Sequence, residues 1–206
     1  MNRGIEVRQA LMKSAIRVVS VQGIQNATTK ALSADSGLSE VYIYRHFKSK
    51  DDLLEQTFLA LDRELMLVLK SSCNRLDTTQ SIQACFLSIF HDFWHFALGD
   101  RNKCSFFIQY YYSSYYMTHS DAERKAIYHP LLDTVSSAFA EGADPWIELN
   151  HVYDIVFAKL WRVIRGVLPD CTETEEGVYR EISLVEEKRL LWNHCANGFP
   201  KEESDE

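Results

Sequence analysis

The stretch Thr28-Thr29-Lys30-Ala31-Leu32-Ser33-Ala34-Asp35-Ser36-Gly37-Leu38-Ser39-Glu40-Val41-Tyr42-Ile43-Tyr44-Arg45-His46-Phe47-Lys48-Ser49-Lys50-Asp51-Asp52-Leu53-Leu54 carries three helix starts in quick succession. Thr28 is placed to cap a short helix running to Ser36, and Gly37 supplies the tight turn that ends it. Ser39 is expected to cap a second short helix to about Phe47. Ser49, with an acid three residues on at Asp52, reads as a capping box opening a long helix. Two short helices joined by a glycine turn in a basic segment fit a helix-turn-helix, whose second helix enters the major groove.

Upstream, Leu11, Ala15, Val18 and Val19 share one face of a first helix ending near Gly23. Downstream, Leu54, Phe58, Leu61, Leu65 and Val68 keep a spacing of three or four along the long helix. Similar signals predict helices from Thr78 to Ala97, with Ile82, Phe86, Phe90 and Phe93 inward, and from about Asn102 to Tyr116. A capping box at Ser120 and Glu123 opens a segment to Glu141, kinked by Pro130 or beginning at it. Asp144-Pro145 opens a helix with Val152, Val156, Leu160 and Ile164 inward. Thr172 and Glu175 cap a last helix carrying Val178, Ile182, Val185 and Trp192. The expectation is an all-α chain of about nine helices.

Composition agrees. Of 206 residues only eight are glycine and four proline, about half the usual ~12% share and too few turn-formers for a sandwich or barrel. The longest apolar run, Leu65 to Leu69, meets Lys70 at once, far short of the ~18 residues of a membrane span. The N-terminus has charges at helical spacing instead of a signal peptide's apolar core, so the expected location is cytoplasmic. Five scattered cysteines read as reduced thiols.

The net charge of −7 is divided unevenly. Residues 1–50 hold eight basic side chains against three acids, a balance of +5, which leaves −12 on the remainder. A basic head on an acidic body suits a chain of which one part meets a polyanion, although a solvated basic face has the same charge. The expected domains are a helix-turn-helix unit over residues 1–50, a helical ligand-binding and dimerisation unit over 51–199, and an acidic disordered tail over 200–206.

The run from Gly37 to Leu54, with Thr28 nine residues before the glycine, closely resembles the TetR family of bacterial transcriptional regulators. The resemblance is strong over residues 6 to about 60. It implies a homodimer in which three N-terminal helices bind double-stranded operator DNA and a fourth leads to an effector-binding body. The last two helices are implied to form a four-helix bundle across the dimer, and a small molecule to relieve repression. No cofactor is implied. Carried over by position, Thr28, Thr29 and Lys30 match the start of the second helix, where phosphates are held. Ser39, Glu40, Val41, Tyr42, Tyr44, Arg45 and His46 match the recognition helix and its start, and Lys50 matches a phosphate-contacting lysine. Hydroxyls, amides and lysines at helix starts position a protein on DNA, while side chains in the groove read bases.

Leu32, Leu38, Ile43 and Phe47 read as core, whereas Tyr44 suits packing and phosphate contact equally. The sequence departs from the family pattern at Ser33, whose hydroxyl needs a backbone partner, and at Val41, whose bulk suits a thymine methyl. It departs again at Glu40, which repels phosphates unless it accepts from a cytosine amino group.

In the body, twelve aromatic residues on two consecutive predicted helices exceed one buried stripe, so some are expected to face a cavity for an aromatic or amphipathic effector. Phe90, His91, Trp94, Phe107, Tyr111, Tyr128 and Trp161 are the candidate lining, though stripes of this kind are usually core. Trp161, Ile164, Val185 and Trp192 are the candidate dimer contacts. His91-Asp92-Phe93-Trp94-His95 places two histidines four apart around an acid, a cousin of the zinc-hydrolase motif. The acid is Asp instead of Glu and no third ligand is evident downstream, so no catalytic or metal residue is assigned; a non-catalytic metal or effector contact by His91 and His95 stays open beside ordinary exposed histidines. No phosphate loop or activated-serine motif occurs. The reading is a DNA-binding regulator and not an enzyme; the alternative is a helical ligand- or metal-binding protein without specific DNA recognition.

Overall fold

On α1 (Arg3–Gln22) the four residues expected to face inward, Leu11, Ala15, Val18 and Val19, are buried in the computed structural model. The structure describes residues 3–75, 82–116, 118–135 and 144–197; for residues 82–83, 85–86, 118–119, 134–135 and 185–197 it describes the backbone alone. Gly23, at φ 87°, turns the chain out of α1 into a single 3-10 turn, Ile24–Asn26. A side chain at this φ would be strained.

The second helix, α2 (Thr29–Ser36), begins as predicted, with the Thr28 hydroxyl accepting from the Ala31 N–H at 3.1 Å. Gly37 ends it in the left-handed conformation at φ 69°. The recognition helix, α3 (Val41–His46), starts differently from expectation. Glu40 takes the cap position without a side-chain cap bond, and the Ser39 carbonyl, not its hydroxyl, accepts from the Tyr42 N–H. Ile43 and Phe47 are buried with Leu32 and Leu11, while Leu38 is half-buried against them. Ser14 donates to the Leu32 carbonyl at 2.9 Å. The Ser33 hydroxyl finds its partner in the Leu38 carbonyl.

The fourth helix, α4 (Lys50–Asn74), has the predicted cap: Ser49 Oγ accepts from the Asp52 N–H at 3.0 Å, and Asp52 reaches back to the Lys48 N–H at 2.7 Å. Leu54, Phe58, Leu61 and Leu65 are buried; Val68 is only partly so, and Leu69 takes its place. Leu53, Leu59 and Asp62 are buried as well. Since α1, α5, α6 and α7 all pack against α4, a single apolar stripe underestimates what it hides.

The body continues with α5 (Ile82–Gly99), α6 (Arg101–Tyr111), α7 (Thr118–Val135), α8 (Pro145–Ile164) and α9 (Thr172–Asn197). Phe90 and Phe93 of α5 face inward, joined by Trp94. The predicted start at Thr78, the side chains of Ile82 and Phe86, and the predicted end at Glu141 lie outside the described residues. Capped by Asp100, α6 stops at Tyr111, short of Tyr116. There the Ser113 hydroxyl donates to the Tyr110 carbonyl at 2.7 Å and accepts from the Tyr115 N–H at 3.1 Å, replacing helical bonds.

Ser120 does not cap α7, which begins at Thr118; it is buried and donates to Glu55 at 2.6 Å. Pro130 lies inside that helix. Asp144 caps α8 through the Trp146 N–H at 2.8 Å, and Val156 and Leu160 are buried there. The capping expected of Thr172 and Glu175 falls instead to the Cys171 carbonyl, which accepts from the N–H groups of both Thr174 and Glu175. Val178 and Ile182 are buried as predicted. Val185, Trp192 and the tail fall outside the described side chains. Among the described residues the protein has nine α-helices and no strand.

Candidate functional site

Once Ile43 and Phe47 are committed to the head's core, the remaining face of α3 points outward. Val41 is 71% and Tyr44 60% exposed, and Glu40 and Arg45 are exposed beside them. A tyrosine so exposed is not packing. Tyr42 is half-buried, its ring parallel to that of His46. An open concavity bordered by Tyr44, Arg45 and His46 also takes in Arg8 and Lys48, two basic residues outside the predicted site. Arg8 is held in place by the His46 carbonyl at 3.1 Å and by the Phe47 ring. Thr28 and Lys30 are exposed at the start of α2, and Thr29 is half-buried. Helix starts and cations on one basic unit are what phosphate contact requires.

Lys50 is placed otherwise than a free phosphate ligand. Its ammonium donates to the Tyr115 hydroxyl at 2.8 Å, lies over that ring, and meets Asp51 at 3.2 Å. Burial opposes its charge, yet these partners hold its pKa above the ordinary lysine value. It therefore ties the start of α4 to the turn after α6.

A second tie runs through Gln109 of α6. Its side chain accepts from the Ile24 N–H at 3.1 Å and donates to the Val19 carbonyl at 3.0 Å, joining α6 to the end of α1. The same helix forms one wall of an apolar cavity of about 270 Å³, which Leu61, Leu65, Phe93, Phe96, Phe107 and Phe157 line together with His95 and Lys103. Of the seven predicted lining residues only Phe107 is there. Phe90 and Trp94 are core residues packed on each other. Tyr111 bonds Asn150, Tyr128 is fully buried, and Trp161 is half-buried against the core. His91 is exposed and meets Glu175 at 2.8 Å. Trp161 and Ile164 are both half-buried on α8, which leaves surface available to a second copy.

A buried ionic group, not read from the sequence, links three helices of the body. Asp62 of α4 accepts from Arg124 Nε at 3.0 Å and from the Tyr128 hydroxyl at 2.7 Å. Arg124 also donates to Asn150 at 2.9 Å, and the Tyr153 hydroxyl donates to that of Tyr128. The guanidinium sits among the rings of Tyr111, Tyr128, Trp146 and Tyr153. Burial opposes its charge, but Asp62 and the tyrosine oxygens hold it well above its ordinary pKa. Burial pushes the Asp62 carboxyl up, against the pull of Arg124.

The geometry defines a class: an all-helical protein with a helix-turn-helix head docked on a helical body. Residues 11–57 match the family described as bacterial regulatory proteins, tetR family. The chain is 35% identical over 105 residues to the nucleoid occlusion factor SlmA of Enterobacter sp. (strain 638) and 34% identical to that of Escherichia coli K12. These alignments take in 49% of this chain and span about half (47%) of the relatives' length. A TetR family transcription regulator from Marinobacter aquaeolei VT8 superposes with a TM-score of 0.71 at 15% identity, covering 88% of this chain and 95% of that one. FadR from Bacillus subtilis, solved with stearoyl-CoA, gives 0.64 at 14% identity over 84% and 96% of the two chains. The chain thus carries a TetR-family N-terminal domain and has the TetR-family fold.

Proposed function

We propose that the chain is a transcriptional repressor that reads operator DNA with α3 as a homodimer and is released by a small apolar or amphipathic molecule. The observation that carries this reading is the outward face of α3, with Tyr44 and Arg45 exposed on a head of net charge +5. Tyr44, Arg45 and His46 read bases or contact phosphates, and Thr28, Thr29 and Lys30 hold the backbone. The boundary between reading head and regulatory body falls near residue 50. The cytoplasm, where DNA is met, is the proposed location, and no catalytic role is assigned. No helix among the described residues is long and apolar enough to cross a membrane.

The effector enters the cavity between α4, α5, α6 and α8, whose phenylalanines suit an alkyl or aromatic portion. FadR's stearoyl-CoA is an apolar tail on a polar head, and that class fits such a lining. A ligand that shifts α6 acts on α1 through Gln109 and on α4 through Tyr115 and Lys50. It changes DNA affinity only if it binds the two head positions unequally.

The test is selection of random duplexes at fixed moderate salt, since affinities without a salt value are not comparable. A palindrome with half-sites about one helical turn apart is expected. Arg45→Ala should weaken the selected site by roughly tenfold or more, the loss expected of one good base contact. Sequence-independent, steeply salt-dependent binding would instead favour the reading in which the head lacks specific recognition.

A further inference from the structure

Side chains with three metal-ligating groups converge at the rim of the cavity. His91 and His95 lie four residues apart on α5, so both project from one side of the helix. Their rings meet edge to face with centroids 4.2 Å apart. Glu175, 84 positions beyond His91, enters from the first turn of α9. One carboxylate oxygen is 2.8 Å from His91 Nδ1 and the other 3.5 Å from His95 Nε2. The three ligand atoms lie within 4.8 Å of one another, and this is the one such group among the described residues.

We propose that His91, His95 and Glu175 bind a divalent cation of the zinc class, with a fourth position left to water. Donors around a tetrahedral ion with bonds of about 2.0–2.1 Å are about 3.3–3.4 Å apart. The two histidine–carboxylate separations are within roughly 0.6 Å of that value, and side-chain rotation would bring both nitrogens onto one carboxylate oxygen. The side chains that must rotate are the exposed ones: the histidines are 58% and 61% exposed, whereas Glu175 is 11% exposed. Two neutral imidazoles and one carboxylate carry a single negative charge, which a divalent ion more than neutralises. Mixed nitrogen and oxygen donors in a three-plus-water arrangement suit zinc better than calcium or magnesium, which favour all-oxygen shells.

Glu175 is also the odd acid of its turn. Its neighbours Glu173 and Glu176 are exposed, while Glu175 is buried against α5. A bound ion bridges α5 to α9, and because His95 also borders the cavity, the ion stiffens one of its walls. This site does not depend on operator binding.

Equilibrium dialysis of the chelator-treated full chain against zinc, with cobalt as an optical reporter of tetrahedral coordination, tests the proposal. About one ion per chain at micromolar zinc or below is expected, and the melting temperature should rise with zinc. His91→Ala, His95→Ala and Glu175→Gln should each weaken binding at least tenfold with helicity by circular dichroism unchanged. The variants matter because scattered cysteines also bind zinc, so the thiols are alkylated in a parallel sample. Absence of stoichiometric binding, or binding undiminished in the His91→Ala/His95→Ala double variant, overturns the site.

Discussion

Replacing Asp62 by Leu should be among the most damaging single changes in the body, and the reason lies in what it leaves behind. Asp62 and Arg124 are both fully shielded from solvent. Without the carboxylate, the guanidinium retains Asn150 and its aromatic neighbours, and its Nη2 already has no hydrogen-bond partner among the described residues. Arginine does not shed its proton to escape. Leaving one charge of a buried pair uncompensated costs about 3–5 kcal/mol. The Tyr128 hydroxyl also loses its acceptor in Asp62.

With a urea slope of about 2 kcal/mol per molar, the midpoint falls by roughly 1.5–2.5 M. Arg124→Met should cost less, because burial already pushes the Asp62 carboxyl up and it can take a proton. The Asp62→Leu/Arg124→Met double variant should recover to within about 1 kcal/mol of wild type, as apolar replacement of a whole buried pair commonly does. Urea unfolding of the four proteins closes the cycle. If Asp62→Leu loses under about 1 kcal/mol, or the double variant loses the sum of the singles, the account of a charge stranded in the core is wrong.

Gln109→Leu leaves the Ile24 N–H without its acceptor and should destabilise by about 1–2 kcal/mol, with faster amide exchange at Ile24 as the local readout. Ser49→Ala removes the acceptor for the Asp52 N–H and should cost about 1 kcal/mol in thermal unfolding. Asp35 bonds Arg17 through both oxygens, and although burial opposes its charge, Arg17 and Ser14 hold its pKa below the ordinary 3.8. A depressed folded-state value stabilises above pH 3.8 and is lost as the pH falls through it. Asp35→Asn should therefore cost about 0.5–1 kcal/mol at neutral pH, with the gap to wild type closing in acid below the unfolded value.

The head was legible because its signals are local. Thr28, Gly37 and Ser49 act on residues within three positions of themselves, and each does in the structure what its chemistry allows. Ser39 misled because a helix of six residues can begin through a backbone carbonyl, a choice that composition does not reveal. The body was legible as helices but not as a site. An aromatic stripe reports burial without saying what it is buried against, so Phe90, Trp94 and Tyr128 read like cavity walls and proved to be core. No local pattern marks Asp62 as a core residue, because the partner that explains its burial is 62 residues away. Glu175 fitted a capping box by spacing, yet its carboxylate answers to two histidines on a helix 84 residues back.

Those long-range pairs bear on how the two parts of the molecule communicate. The head meets the body through α4, which is continuous from Lys50 to Asn74, and through the seam of α1 against α6. The buried Asp62–Arg124 pair holds α4 to α7, and Arg124 reaches α8 through Asn150, so α4 is not free to pivot alone. The cavity lies between these attachments, with Leu61 and Leu65 on α4 and Phe107 on α6. Phe107 and Gln109 are two positions apart on α6, and a helix transmits an axial shift of one to the other without loss. Widening the cavity between its α4 and α6 walls would move α6 relative to α4. The hydrogen bonds of Gln109 to Val19 and Ile24, and that of Lys50 to Tyr115, lie across that displacement. Close packing leaves such seams discrete alternatives instead of a smooth range, and on the proposed reading a small change at the cavity would be converted into a change in head position.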